Sequence, residues 1–294
     1  MVNYINLAAA PKRPLINQEL LRDADSLPVL PWLWQQVLGC LDNRWSSLSD
    51  LEAIVRQDQS LSSRIIGAAN SSFYGSARQI TTVSRASAML GLEEVRRLCL
   101  VAGLGQLLDT GDASQVQQSE HLWRHCLEVG QVAALLARGR RGLDGESAFT
   151  AGVLHDLGQV LLAARFPRAY RVVSQLQERQ GIGWVEAEEA LGLDHQELGL
   201  YLAEHWNLPP MLTEVIGRHH QPNAGLAHFP MVAVVYLADW VAREEEDLEA
   251  GRPSAQPEEE TWAACLAAVG LDQPGLESCR RRYQANRRSR QQAG

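Results

Sequence analysis

This 294-residue sequence has little positive charge and almost no lysine. Its 27 basic residues, of which only Lys12 is a lysine, are outnumbered by 35 acidic ones, and the formal net charge is -8. A protein that coats nucleic acid needs a basic face, and no basic recognition helix precedes the arginine-rich end of the chain. We therefore expect no direct nucleic-acid binding.

Long apolar runs and paired cysteines are missing as well. No segment reaches the roughly 18 consecutive apolar residues that a membrane span needs. The five cysteines are odd in number and include no C-x-x-C pair; they are Cys40, Cys99, Cys126, Cys265 and Cys279. This pattern is typical of a reducing compartment. We expect a cytoplasmic protein without a membrane span.

Strand alternation is also lacking. Apolar residues recur instead at the helical spacing of about 3.6. In residues 49–58, for example, Leu51, Ile54 and Val55 share one face behind Ser49, the predicted N-cap. No glycine-rich phosphate loop and no nucleophile-elbow serine occur. The sequence therefore predicts an all-α protein without those two catalytic motifs.

Breaks in composition divide the chain into segments. The predicted divisions are an N-terminal extension (1–26), a domain (27–243) made of an N-terminal helical lobe (27–109) and a second lobe (119–243), an acidic linker (244–260), and a C-terminal helix with a basic tail (261–294). The six arginines of the tail favour a solvated helix that frays at its end. Contact with an anionic partner is the alternative.

Three consecutive segments carry a family resemblance: LPVLPWLWQQVLGCL, LEAIVRQDQSLSSRIIGAANSSFYG and ITTVSRASAMLGLEEVRRLCL. Their succession closely resembles the HDOD family of bacterial signalling modules, which are related to HD-domain hydrolases. The resemblance covers roughly residues 27–239, and residues 70–75 are its most specific part. It implies an N-terminal helical bundle packed on an HD-like bundle. It also implies a regulatory role without established catalysis.

The residue types at positions 70–75, the most specific part of the resemblance, are typical of a helix end followed by a loop. Asn70 and Ser71 end one helix, Tyr74 supplies an anchor, and Gly75 supplies a permissive backbone. We interpret the run as a loop that fixes how two helices meet. A binding role for Asn70 or Tyr74 is the alternative.

Imidazole and carboxylate side chains recur through the second half of the predicted domain. Seven of them are candidate metal ligands: His125, His155, Asp156, His195, His219, His220 and Asp239. Neutral imidazole and carboxylate are the ligands that iron, manganese and zinc accept, so their convergence would create a site for one or two divalent ions. In the alternative, His155 is a core histidine and Asp156 a buried helix cap. A buried aspartate nevertheless needs a partner to offset its desolvation.

The seven residues also carry a resemblance. Four of them are similar to the H…HD…D pattern of HD-domain phosphohydrolases, which implies a first metal ion; they are His125, His155, Asp156 and Asp239. The others match extra ligands of the HD-GYP phosphodiesterases, which implies a second ion; they are His195, His219 and His220. In that arrangement Asp156 bridges the ions. His121, one helical turn before His125, is either an outer ligand or an exposed histidine.

The sequence departs from the HD-GYP pattern at three places. Gln159 stands where that branch has a lysine, Gln221 follows His220 where it has an acid, and no glycine-tyrosine-proline loop precedes Asp239. Hydrolysis by that branch's mechanism is therefore disfavoured, although the ligands remain.

Three functions fit these observations. The leading hypothesis is a non-enzymatic signalling module with a protein partner, in which the metal is structural or part of a ligand sensor. The second is a metal-dependent phosphohydrolase acting on a phosphoester or nucleotide, with Arg124 or Arg218 as the phosphate clamp. The third is an iron centre that senses oxygen or redox state.

Overall fold

The structure, a computed structural model, describes residues 35–36, 47–71, 79–108, 116–249, 251 and 256–291. Within these ranges it contains thirteen helices and no strand. The helices are α1 (Leu48–Val55), α2 (Gln59–Ala69), α3 (Val83–Leu108), α4 (Val116–Ala137), α5 (Gly145–Leu154), α6 (Leu157–Arg165), α7 (Pro167–Gln180), α8 (Trp184–Leu191), α9 (His195–His205), α10 (Pro210–Arg218), α11 (Phe229–Glu249), α12 (Glu259–Val269) and α13 (Gln273–Gln291). The all-α prediction is confirmed. None of these helices has both the length and the apolar character that crossing a membrane requires.

Helices α1, α2 and α3 form a small N-terminal layer. Their apolar stripes meet around Leu51, Ile65 and Val95, which are fully buried. α3 bends at Gly91, whose φ of 82° lies in the left-handed region that glycine tolerates best. The far side of α3 packs against α4, α5 and α6, so the N-terminal helices lie directly on the second group.

Arg97 of α3 ties the two groups of helices together. Its Nε donates a hydrogen bond of 3.2 Å to Glu146 of α5. Its guanidinium also lies 5.0 Å from the ring centroid of Phe149, a cation–π distance. The two lobes therefore share a polar contact as well as a continuous apolar core.

Side-chain caps begin several helices. Asp144 accepts a 2.7 Å hydrogen bond from the backbone of Ser147 at the start of α5, and Asp194 caps α9 in the same way. α1 begins behind Ser47, which forms a capping box with Asp50. The prediction that Ser49 is this N-cap is wrong, because Ser47 supplies both the extended backbone and the reciprocal hydrogen bonds.

Two pairs of glycines allow the helices of the second lobe to approach closely. A Cβ added at Gly152 of α5 would lie 2.7 Å from the Cα of Gly130 on α4. A Cβ added at Gly158 of α6 would lie only 1.8 Å from the backbone oxygen of His195. A Cβ added at Gly199 of α9 would lie 3.0 Å from the backbone nitrogen of Gly158. Backbone thus packs on backbone at both crossings, which bring α4, α5, α6 and α9 around one centre.

Asn70 closes a loop of the N-terminal lobe. Its Nδ2 donates a 2.7 Å hydrogen bond to the carbonyl oxygen of Ile80, and its Oδ1 accepts a 2.8 Å hydrogen bond from the Ile80 backbone nitrogen. This two-way contact gives Asn70 the structural role. Tyr74 and Gly75 lie outside the described residues, as do residues 1–34.

We expect Asn70→Ala to lower the free energy of unfolding by about 1–3 kcal/mol, because it leaves two backbone groups of Ile80 without their partner. Asn70→Asp should fall between the native protein and Asn70→Ala, since it keeps the acceptor and loses the donor. Urea denaturation of the three proteins measures this order. Equal stability of native protein and Asn70→Ala would contradict it.

The C-terminal helices depart from the predicted linker and tail. α11 continues as regular helix to Glu249, so the prediction that the acidic linker starts at residue 244 is wrong. The physical reason is pairing with α13: Glu245 accepts a 2.8 Å hydrogen bond from Arg280, and Glu249 accepts one of 2.6 Å from Arg287. Tyr283 is only 2% exposed. α13 is therefore docked through its inner arginines on the protein's own acids.

Candidate metal centre

The seven predicted ligands lie together in the second lobe. α4 supplies His125, the break between α5 and α6 supplies His155 and Asp156, α9 begins with His195, His219 and His220 follow α10, and α11 supplies Asp239. Six of them are at most 5% exposed, and the side chain of His220 is 15% exposed. Five separate parts of the chain thus place their imidazoles and carboxylates in one buried space.

Asp156 occupies the middle of this space. It holds the N-cap position of α6, yet its side chain makes no capping hydrogen bond, so the interpretation as a buried cap is wrong. Its Oδ1 lies 3.3 Å from Nε2 of His195 and 3.4 Å from Nε2 of His219. Its Oδ2 lies 3.3 Å from Nε2 of His155 and 3.6 Å from Nε2 of His125. Each carboxylate oxygen therefore faces a different pair of imidazoles.

Two ligand groups result, one beside each oxygen of Asp156. In the first, single nitrogen or oxygen atoms of His125, His155 and Asp239 lie within 4.8 Å of one another. In the second, atoms of Asp156, His195, His219 and His220 meet the same limit. Asp239 also approaches the second group, since its Oδ2 lies 3.8 Å from Nδ1 of His220. The two groups are therefore adjacent sets of potential metal ligands, with Asp156 between them.

Backbone carbonyls orient two of the imidazoles. Nδ1 of His155 donates to the carbonyl oxygen of Gly152 at 2.7 Å, and Nδ1 of His219 donates to that of Ile216 at 3.1 Å. Because a carbonyl can only accept, Nε2 of each neutral ring is left as the lone-pair nitrogen. In metal sites the ring nitrogen opposite the metal usually makes such a bond.

Carboxylates orient two others. Nδ1 of His195 lies 2.5 Å from Oε2 of Glu188, and Nδ1 of His125 lies 3.1 Å from Oε1 of Glu246. Such carboxylate–imidazole pairs raise the basicity of a histidine ligand and fix its ring. Sequence reasoning missed both glutamates. Glu246 lies seven residues after Asp239 on the same helix, a signal that could have identified it.

The inward atoms lack hydrogen-bond partners. Within the described part of the chain, the buried atoms without one include both oxygens of Asp156 and Nε2 of His125, His155 and His220. Buried polar atoms are normally satisfied, and leaving them unsatisfied is costly. A donor set of imidazole nitrogens and carboxylate oxygens suits zinc, manganese or iron. The residues present therefore fit a divalent metal centre.

The charges of the metal-free centre are strongly perturbed. Burial acts to lower the pKa of His125, but Glu246 and Asp239 outweigh it and raise that pKa to about 10. Burial likewise opposes Glu188 and Asp156 at His195, whose pKa rises to about 10. Burial would raise the pKa of Asp156, yet His155 and the other imidazoles hold it well below its usual range.

A divalent ion bound by these residues would exchange for protons in a pH-dependent way. At pH 8, His125 and His195 of the metal-free protein each carry a proton on Nε2 that a metal must displace. Loading with manganese at pH 8 should therefore release about two protons per chain. The release should shrink as the pH approaches the pKa values near 10. Calorimetric titration in buffers of different ionisation enthalpy counts these protons, and heat independent of the buffer would contradict the prediction.

One arginine belongs to the centre, and it is not one of the two predicted. Arg243 follows Asp239 by one turn of α11, and its Nε donates a 2.7 Å hydrogen bond to Oδ1 of Asp239. Arg124 is exposed and Arg218 is half-buried, and no described hydrogen bond or ion pair connects either one to the seven ligands. The i,i+4 spacing of Asp239 and Arg243 was a visible signal.

Two further predicted positions have clear places. The side chain of His121 is 54% exposed, with Nε2 4.0 Å from Glu246, which agrees with the surface interpretation. Gln159, which stands at the lysine position of the HD-GYP pattern, is buried on α6 and 5% exposed. It therefore brings no charge to this part of the lobe.

Comparisons with known proteins agree with this fold. A family model for the HDOD domain matches residues 27–222, more than half of the chain. An HDOD domain protein with unknown function from Geobacter sulfurreducens has a TM-score of 0.74 and 24% identity, covering 93% of this chain and 94% of its own. A candidate signal transduction protein from Marinobacter aquaeolei VT8 has a TM-score of 0.70 and 25% identity, covering 90% of this chain and 59% of its own.

Among curated proteins, an uncharacterized protein of Treponema pallidum (strain Nichols) is 27% identical over 223 residues, which is 74% of this chain and 42% of that protein. The chain thus spans less than half of the length of the curated relatives that it matches.

Proposed function

Since this chain belongs to the HDOD family, we propose that it is a signal-transduction module whose second lobe holds two divalent metal ions. One observation carries this proposal: each buried, unsatisfied oxygen of Asp156 faces a separate pair of imidazoles. The similarity to a candidate signal transduction protein at 25% identity supports the regulatory role.

Each ion has a defined set of residues in this proposal. The first ion would be held by His125, His155 and Asp239, and the second by His195, His219 and His220. Asp156 would contribute a ligand to both. Because these ligands come from five separate parts of the chain, binding ties those parts together and stabilises the lobe. A protein partner would then distinguish the loaded lobe from the metal-free lobe. The five cysteines, dispersed along the sequence and without a C-x-x-C pair, support a cytoplasmic setting.

A second candidate function is metal-dependent phosphohydrolysis. The observation in its favour is again the central carboxylate of Asp156 between two ligand groups. A two-ion centre of this type activates water and stabilises charge on a transferring phosphoryl group. The neutral Gln159, where HD-GYP phosphodiesterases have lysine, weighs against that branch's route. We therefore give the regulatory role precedence.

Elemental analysis of single-ligand variants tests the metal centre. The native protein should hold about two ions per chain. His155→Ala and His195→Ala each remove a ligand of one ion, so each should hold about one. His205→Ala, at an exposed histidine of α9, should hold as many as the native protein. A native protein that takes up no manganese, iron or zinc sinks the proposal.

Turnover separates the two candidate functions. The metal-loaded native protein and Asp156→Ala are assayed with bis(p-nitrophenyl) phosphate and p-nitrophenyl phosphate. Release of nitrophenol by the native protein alone would replace the regulatory role with the hydrolase. If the native protein, fully loaded with metal, releases nitrophenol no faster than Asp156→Ala, the regulatory role is retained.

A further inference from the structure

The least buried edge of the metal centre lies beside Asp239. Among the seven ligands and the side chains hydrogen-bonded to them, the most exposed are Arg243, whose side chain is 29% exposed, and His220, at 15%. They approach different oxygens of Asp239: Arg243 reaches Oδ1 at 2.7 Å, and Nδ1 of His220 lies 3.8 Å from Oδ2. A ligand from solvent therefore meets Arg243 and His220 before it meets the deeper imidazoles.

The loaded centre would carry a net positive charge. Four carboxylates belong to the group, those of Asp156, Asp239, Glu188 and Glu246, together with one guanidinium, that of Arg243. With the imidazoles neutral as ligands, two divalent ions add four positive charges. One net positive charge then remains in a largely buried space, where charges interact strongly. Such a centre favours an anion over a neutral molecule.

The guanidinium of Arg243 suits a particular kind of anion. It has five N–H donors, and the hydrogen bond to Asp239 uses only Nε. The terminal nitrogens form a planar fork that matches the oxygens of a phosphoryl group. Gln159 brings no competing cation. Arg243 is thus the one cationic side chain that the described contacts place on the ligand set.

We propose that Arg243 is the anion-recognition residue of the metal centre, and that the ligand it receives at this edge carries a phosphoryl group. The inference rests on the proposed two-ion centre and names the class of ligand that the centre senses. If Arg243 served only to neutralise Asp239, its loss would change metal binding and leave anion binding unaltered.

Phosphate binding to the manganese-loaded full chain tests the inference. We compare the native protein, Arg243→Gln, Arg243→Lys and the control Arg179→Gln, which removes an exposed arginine of α7. Manganese content is measured first, and inorganic phosphate is then titrated by calorimetry. Arg243→Gln should keep its manganese and bind phosphate about tenfold to a hundredfold more weakly, because a charge-assisted hydrogen bond is lost. Arg179→Gln should match the native protein.

Each of the other possible outcomes has one interpretation. Arg243→Gln that keeps its manganese and binds phosphate like the native protein overturns the inference. Loss of manganese in that variant also overturns it, because Arg243 would then position Asp239. If Arg243→Gln does not fold, Arg243→Lys decides: weaker phosphate binding at full manganese content supports the forked contact, and unchanged binding overturns it. If the first measurement finds no manganese in the native protein, the two-ion centre itself is wrong.

Two further probes identify the source of the phosphoryl group. Phenyl phosphate that binds the native protein as tightly as inorganic phosphate supports an ester ligand, and binding of inorganic phosphate alone supports the free anion. Acetate tests whether the site prefers a phosphoryl group to a carboxylate. Acetate that binds as tightly as phosphate, with the same loss in Arg243→Gln, overturns the phosphoryl assignment.

Discussion

Gly158→Ala should destroy the packing of α6 on α9 and, with it, the proposed metal centre. The added Cβ would lie 1.8 Å from the backbone oxygen of His195 and 2.8 Å from the backbone nitrogen of Gly199. Both are main-chain atoms in helices, so no flexible side chain can move aside. Separating the helices would also displace Asp156, two residues before Gly158, from His195. We expect a loss of at least about 3 kcal/mol in the free energy of unfolding, the upper end for overpacking, or no folded protein.

A matched substitution isolates the steric cause. Gly67→Ala adds the same methyl group inside α2, where a Cβ would have nothing within 4 Å. Because alanine is the better helix former, this variant should be unchanged or more stable by up to about 1 kcal/mol. Urea denaturation compares the variants, and elemental analysis follows their metal content. Gly158→Ala with native stability and native metal content would contradict the close approach of α6 and α9.

Asp156→Ala should abolish the binding of both ions. The carboxylate lies at the centre of both ligand sets, with four imidazole nitrogens between 3.3 and 3.6 Å from its oxygens. Loss of a single histidine leaves one set intact, whereas loss of Asp156 removes a ligand from each. We therefore expect the metal content to fall from about two ions per chain to less than half an ion. Addition of manganese should then no longer raise the melting temperature.

The same variant should also be less stable without metal. When a chelator has removed the metal, the carboxylate of Asp156 offsets the positive charges on His195 and His125. Glu188 and Glu246 help to raise the pKa values of these two histidines. Removing one partner of a buried ion pair costs about 3–5 kcal/mol. Urea denaturation in the presence of a chelator measures this part separately. The control Asp272→Ala, which removes an exposed capping carboxylate before α13, should cost about 1 kcal/mol and leave the metal content unchanged.

The ligand types could be identified from the sequence because imidazole and carboxylate are rare in apolar helical segments. His155 and Asp156 stand out within FTAGVLHDLGQVLL, since burying an aspartate there requires partners. The apolar residues of this segment recur at helical spacing on both sides of the pair. The chain nevertheless breaks at this pair, with α5 ending at Leu154 and α6 starting at Leu157. That break turns Asp156 toward four histidines, and periodicity alone does not reveal it.

The residues that support the ligands were much harder to predict. Glu188 is an ordinary glutamate of an amphipathic helix in the sequence, yet it is 2% exposed and contacts His195. Arg243 is the last residue of the predicted second lobe, directly before the predicted acidic linker, and it contacts Asp239. The docking of α13 through Tyr283 was missed for the same reason. Local composition describes a side chain's chemistry and does not describe which distant side chain it meets.

The sequence by itself determined the helical class, the family and the chemistry of the seven ligands, because these depend on residue type and on spacing along the chain. Only the tertiary structure showed which imidazoles each oxygen of Asp156 faces and that Glu188, Glu246 and Arg243 contact the candidate ligands. It also showed that two arginines of α13, Arg280 and Arg287, pair with the protein's own acids. The physical reason is distance along the chain: His125 and Glu246 are 121 residues apart and their side chains meet at 3.1 Å. Contacts of that kind form only where the backbone permits close approach, as it does at Gly158 and Gly152.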